Sequence, residues 1–208
     1  MRRHTPHTRP QNPAQQTLSL QFQAQLKRLS KIETKQLTGV TPELEQFCKD
    51  CSALGYHNNS SIKAMKFDWC ITEGGAWWAT FNNNKIIAVT GIHPWLNGWR
   101  ALFRGAQISS RSGLSKYHMT SWGFHSHLPL QIAYAETKEK YPENLSIYIT
   151  TNTETDNSGK MLRINKTFNL LQRQGLVDNL GRAEAYGVVQ NVWLLDVNRY
   201  TEIRQKYD

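Results

Sequence analysis

The chain has 208 residues and a net charge of +9, a size that suits one ordinary domain whose core needs no disulfide or metal to hold it. Aromatics make up 11% of the residues, seven of them Trp, which excludes a disordered body. No apolar run approaches the ~18 residues of a membrane span, and the charge favours anionic partners such as nucleic acid, coenzyme phosphates or an acidic membrane surface.

Met1-Arg2-Arg3-His4 leads into Thr, Pro, Asn and Gln with no apolar stretch behind it. The expectation is a chain without a secretory leader, working in the cytoplasm. Residues 1–17 carry Arg2, Arg3 and Arg9 with Pro6, Pro10 and Pro13 and almost nothing apolar. They read as a disordered basic tail ahead of a single domain over 18–208. A short helix is expected within 18–30. Residues 32–38 read as a first strand. Thr41-Pro42 then opens a helix, with Thr as N-cap, Pro at the first position and Glu43 and Glu45 in the first turn. Its apolar face carries Leu44, Phe47, Cys48, Cys51 and Leu54, and Gly55 ends it.

The three cysteines are Cys48, Cys51 and Cys70. An odd number in a chain this long argues against a disulfide scaffold. The C-x-x-C pair falls inside a helical pattern and reads as two half-buried residues on one helical face, without the second ligand pair of a zinc site.

Residues 76–92 form the clearest hairpin: one arm over 76–81, a turn at Asn82-Asn83-Asn84 and a second arm over 85–92. A Pro/Asn/Gly loop follows, then a strand over 99–108. Residues 109–127 read as irregular. Leu128-Pro129 opens a helix to about Lys140, stopped by Tyr141-Pro142. Leu145, Ile147 and Ile149 alternate in the next strand, over 145–151. A helix over 159–174 ends at Gly175, and residues 184–197 supply one or two last strands. This order predicts an α/β fold, a mixed sheet with helices on both faces.

The same segments resemble the GNAT superfamily of N-acetyltransferases. IETKQLTGVTPELEQFCKDCSALGY is similar to its opening strand and helix, AWWATFNNNKIIAVTGI to its hairpin, and WRALFRGAQI to its central strand. NLSIYITTN is similar to the next parallel strand, RINKTFNLLQRQGL to its late helix, and AYGVVQNVWLLDV to its last strands. Similar chains occur in phage genomes. The resemblance implies a central pair of parallel strands that splay apart and take the pantetheine arm of acetyl-CoA like an added strand. The pyrophosphate would rest on backbone N–H groups ahead of the next helix. It implies acetyl transfer from acetyl-CoA to an amine, with a base, carbonyl donors and an acid from the protein.

Carried onto this sequence, the resemblance puts the donor on Phe103, Arg104, Ala106 and Gln107 and on the loop residues Ser112, Gly113, Ser115 and Lys116. That loop, Ser110-Arg111-Ser112-Gly113-Leu114-Ser115, departs from the family's Gln/Arg-x-x-Gly-x-Gly/Ala at its first and last positions. The family's frequent acid, a Tyr four residues before the late Gly, is Leu171 here. His118, His125 and His127 are the candidates for base or acid, since a free imidazole titrates near neutrality. The alternative for each is a plain loop histidine. Asn152, at the end of the splayed strand, is either a hydrogen-bonding group for the donor or a turn residue.

Three functions stand beside one another. The first is an acyl-CoA-dependent N-acyltransferase. The second is a GNAT-shaped binding or virion-associated protein without catalysis, favoured by the altered loop and the missing Tyr. The third is a nucleic-acid-binding domain, favoured by the charge and by aromatics able to stack on bases.

Overall fold

Trp77 and Trp78 are both buried because a strand turns successive side chains to opposite faces, and both faces of this sheet are covered. The computed structural model describes residues 32–53, 60–82, 84–104, 127–153, 163–185 and 187–205. The expected tail (1–17), the short helix within 18–30 and Gly55 lie outside them. The strands are β1 (Ile32–Leu37), β2 (Ala76–Asn82), β3 (Lys85–Trp95), β4 (Gly98–Arg104), β5 (Ile147–Asn152), β6 (Val177–Ala185) and β7 (Val188–Leu195). The helices are α1 (Pro42–Ala53), α2 (Ile62–Met65), α3 (Phe67–Thr72), α4 (Leu128–Lys138), α5 (Arg163–Arg173) and α6 (Val197–Gln205). Among the described residues no helix is long and apolar enough to cross a membrane.

The seven strands form one sheet in the order β1-β2-β3-β4-β5-β7-β6. Of its ladders, β4–β5 is parallel and the others are antiparallel. The expected hairpin, the parallel pairing of the two central strands and the helix that crosses between them are all present.

Leu44, Phe47, Cys48 and Cys51 from α1, Met65 from α2, and Phe67 and Cys70 from α3 pack on one face with Trp77, Val89 and Leu102. On the other face Leu128, Ile132 and Ala135 from α4, Phe168 from α5 and Tyr200 from α6 pack on Trp78, Ile92, Trp99, Ile147, Ile149 and Trp193. Trp77 stacks on Phe67 at 5.7 Å between ring centroids. Gly91 makes room for it, because a Cβ there would sit 2.7 Å from the indole.

Local chemistry sets the element ends. Thr41 caps α1 by accepting from the Leu44 amide at 3.2 Å. That bond network, led by the Glu43 amide itself, also holds the exposed Glu43 carboxyl below its usual range. Asn84 turns the β2–β3 hairpin in the left-handed region at φ 61°. Gly175 follows α5 at φ 68°, as a helix-ending glycine does.

Four readings change. The loop expected after residue 92 is instead the rest of β3, which runs through His93-Pro94-Trp95 and turns at Leu96-Asn97. Residues 62–72 hold two short helices where no element was expected. The last strands begin at Val177 rather than near Glu184, and a sixth helix follows them. The parallel strand runs over Ile147–Asn152, two residues later at its start than expected.

Candidate functional site

The parallel ladder between β4 and β5 has three residue pairs, Trp99↔Ile147, Arg100↔Tyr148 and Ala101↔Ile149, and then stops. Both strands continue. Residues 102–104 keep their pairing with β3, and residues 150–152 keep theirs with β7. Two neighbouring parallel strands therefore part at their C-terminal ends, leaving inner edges that do not pair with each other. At the other end they are pinched together: the Trp99 amide donates to the Ser146 carbonyl at 2.9 Å, and a Cβ on Gly98 would lie 2.3 Å from that oxygen.

Side chains hold each arm of the opening. On the β4 side Gln131, in the first turn of α4, is fully buried. Its Nε2 donates to Thr90 Oγ1 at 2.5 Å, to the Gly91 carbonyl at 2.6 Å and more weakly to the Leu102 carbonyl at 3.2 Å. Thr90 Oγ1 donates to the same Leu102 oxygen at 2.6 Å. Gln131 Oε1 is buried with no hydrogen-bond partner among the described residues. It is an acceptor left over beside the open arm of β4.

On the β5 side Asn165 of α5 is the organiser. Its Nδ2 donates to the Asn152 carbonyl at 2.8 Å, and its Oδ1 accepts from Thr151 Oγ1 at 2.6 Å and from Asn191 Nδ2 at 3.3 Å. Trp193 Nε1 donates to Thr151 Oγ1 at 2.9 Å. The chain thus fixes both arms with neutral side-chain bonds from helices on the α4–α5 face.

Of the residues singled out in the sequence, Phe103 and Arg104 lie in the parted section of β4, and Asn152 ends the parted section of β5 with its side chain exposed. His118, His125, Ala106, Gln107, Ser112, Gly113, Ser115 and Lys116 lie outside the described residues. His127 sits immediately before α4, buried, with Nε2 2.5 Å from Thr80 Oγ1. Burial pushes its imidazole down to about 4, so at neutral pH it is uncharged and cannot serve as a cationic acid. Leu171 packs, partly buried, against the core on the α4–α5 face. Cys48, Cys51 and Cys70 are all buried as thiols, none of them in a disulfide. Cys48 lies 3.4 Å from the Met65 sulfur, and burial raises its thiol to about 11. Among the described residues no group of three His, Cys, Asp or Glu could hold a metal ion.

Gln131, Asn165, Thr90 and Thr151 were not singled out from the sequence. A signal was there: Gln131 shares a helical face with Leu128 and Ala135, and Asn165 one with Phe168. A polar side chain in an apolar stripe is a satisfied core group more often than a site group.

No protein-family model matches the chain, and no curated protein matches it. Among solved structures, a Desulfovibrio desulfuricans protein assigned to the GNAT family of acetyltransferases is 8% identical, with 79% of this chain and 98% of that one covered and a TM-score of 0.48. An acetyltransferase from Streptococcus agalactiae is 10% identical, covering 79% of this chain and 98% of its own, at 0.47. An aminoglycoside 6'-N-acetyltransferase complexed with coenzyme A is 13% identical, covering 78% and 94%, at 0.45. At these identities and scores the likeness bears no argument about activity.

Proposed function

We propose that the chain is an acyl-CoA-dependent N-acyltransferase that moves an acetyl group from acetyl-CoA to an amine in the cytoplasm. One observation carries this reading: the parallel β4–β5 pair that parts after Ala101 and Ile149. An extended, amide-bearing arm adds to such edges as a strand would. The residues fit that ligand. Both arms are held by side chains rather than by a backbone ladder between them, and Gln131 Oε1 has no hydrogen-bond partner among the described residues.

Acetyl-CoA supplies the acyl carbon as a thioester; the amine bonds to that carbon, the carbon–sulfur bond breaks, and the amine's proton leaves while the sulfur departs as thiol. Phe103, Arg104, Ala106 and Gln107 would lie along the donor. Ser112, Gly113, Ser115 and Lys116 would receive its phosphates, with Lys116 adding positive charge. Asn152, at the mouth of the opening, would hydrogen-bond the donor or a water. His118 and His125 are the groups proposed to take the amine's proton, a task an imidazole can perform as general base. His127, the third candidate, is kept uncharged at neutral pH by burial.

Leu171 favours a second reading, a GNAT-shaped binding protein that takes CoA without turnover. An apolar residue packed on the core stands where the family has its frequent acid. A turnover assay separates the two. The chain is mixed with acetyl-CoA and a panel of amines comprising a polyamine, an aminoglycoside and a peptide N-terminus, and free thiol is measured. Amine-dependent thiol release supports the transferase. Binding of acetyl-CoA without release supports the second reading, and no binding contradicts both.

A further inference from the structure

We propose that Arg100 is a positioning residue that sets the width of the β4–β5 opening, and through it the affinity for an acyl-CoA. The affinity part rests on the acyl-donor reading above; the mechanical part does not.

Arg100 lies on β4 one residue before the last paired couple, opposite Tyr148. Its side chain runs over the sheet face opposite α4 and α5 and reaches past the point where the strands part. Nη2 donates both to Thr150 Oγ1 of β5 and to Gln190 Oε1 of β7, the latter at 3.0 Å. Gln190 itself pairs with Asn152, the last residue of β5. One nitrogen anchored on β4 therefore grips two successive strands on the far side of the opening. The guanidinium is stationed by the ring of Trp95, 5.2 Å from its centroid. Trp95 in turn meets Tyr148 edge-on at 5.5 Å, and Tyr148 donates its hydroxyl to Asn97 Oδ1.

Several features make this a spacer rather than an ordinary buried polar contact. Arg100 is 2% exposed, so water does not replace a bond it loses. Its planar head fixes the direction in which Nη2 donates, and that one nitrogen meets both acceptors, where a lysine's rotating ammonium would set no direction. The grip falls on Thr150, the first residue of β5 beyond the last backbone pair, Ala101↔Ile149. On the opposite face Gln131 and Asn165 fix each arm to its own outer neighbour. Arg100 spans from one arm to the other.

Replacing Arg100 removes a buried stem as well as its bonds, so the test changes the acceptors. Thr150→Val keeps the β-branched shape and Gln190→Met keeps the length, each deleting one acceptor. Amide hydrogen exchange is measured without ligand, and acetyl-CoA affinity by calorimetry. In both variants exchange over 102–104 and 150–152 should rise about tenfold with β2 and β3 unchanged, and the Kd for acetyl-CoA should rise about tenfold. Exchange equal to wild type in both variants, or raised as much in β2 and β3 as in 102–104 and 150–152, would overturn the spacer role, because a hydrogen bond that merely helped overall stability would not act on these two segments alone. Raised exchange with unchanged affinity would overturn the link to the donor. If the wild-type chain takes up no acetyl-CoA, the acyl-donor reading falls while the exchange result still decides the mechanical part.

Discussion

The β2–β3 hairpin and the β4–β5 pair belong to one sheet and are built in opposite ways. The hairpin is closed along the whole length of β2, from Ala76↔Ile92 to Asn82↔Lys85, with one register shift. Backbone bonds satisfy it and apolar side chains cover it on both faces. The β4–β5 pair is closed over three residues and then parts. Its continuing arms are fixed by Gln131 and Thr90 on one side and by Thr151, Asn165 and Trp193 on the other. Where the ladder stops, buried polar side chains gather. The difference separates a part of the sheet held by its own backbone ladder from a part held by side chains around a ladder that stops.

Substitutions can break this comparison. The largest effect is expected in the closed region: Trp77→Ala empties a fully buried site between Phe67 and Gly91 and should cost about 3–5 kcal/mol in denaturant unfolding. The folded fraction should bind acetyl-CoA as the wild type does. Next is acid sensitivity. His127 titrates near 6.5 when unfolded and at about 4 when folded. Between those values the unfolded chain binds more protons, so stability is complete above about pH 6.5 and falls by up to about 3 kcal/mol as pH drops toward 4. His127→Asn should flatten that slope in melting curves recorded across the window. In the open region Gln131→Leu should cost about 1–3 kcal/mol, because it strips a buried donor from Thr90, Gly91 and Leu102. Unlike Trp77→Ala, it should also weaken acetyl-CoA binding by the folded protein. The smallest effect is expected at the phosphates, where Lys116→Glu should weaken acetyl-CoA binding by about 1 kcal/mol or more in calorimetry.

The closed region was also the legible one. AWWATF and KIIAVTGI are nearly continuous apolar runs around an Asn turn, and a strand buried on both faces writes that pattern directly. The parallel pairing could be read from the helix signal at Leu128-Pro129 lying between two strand signals. The start of β6 could not be read. Its residues 178–184 are all exposed, so Asp178, Asn179, Arg182 and Glu184 carry no burial period, and the strand exists because β7 offers it an edge. The sixth helix is similar, with only Tyr200 of its nine residues buried. At the candidate site Asn152 was legible as the last residue of a strand. Arg100, Gln131 and Asn165 were not, because sequence spacing shows which face a polar residue shares but not which backbone oxygen it will meet.

The account turns on the parted section of β4 and β5 being where an acyl-CoA lies. The direct measurement is amide hydrogen exchange of the wild-type chain with and without saturating acetyl-CoA. Bound donor should slow exchange over 102–104 and 150–152, the two edges it would pair with, and leave 76–82 and 85–92 unchanged. Binding by calorimetry with no protection in 102–104 or 150–152 would put the ligand elsewhere and contradict the account.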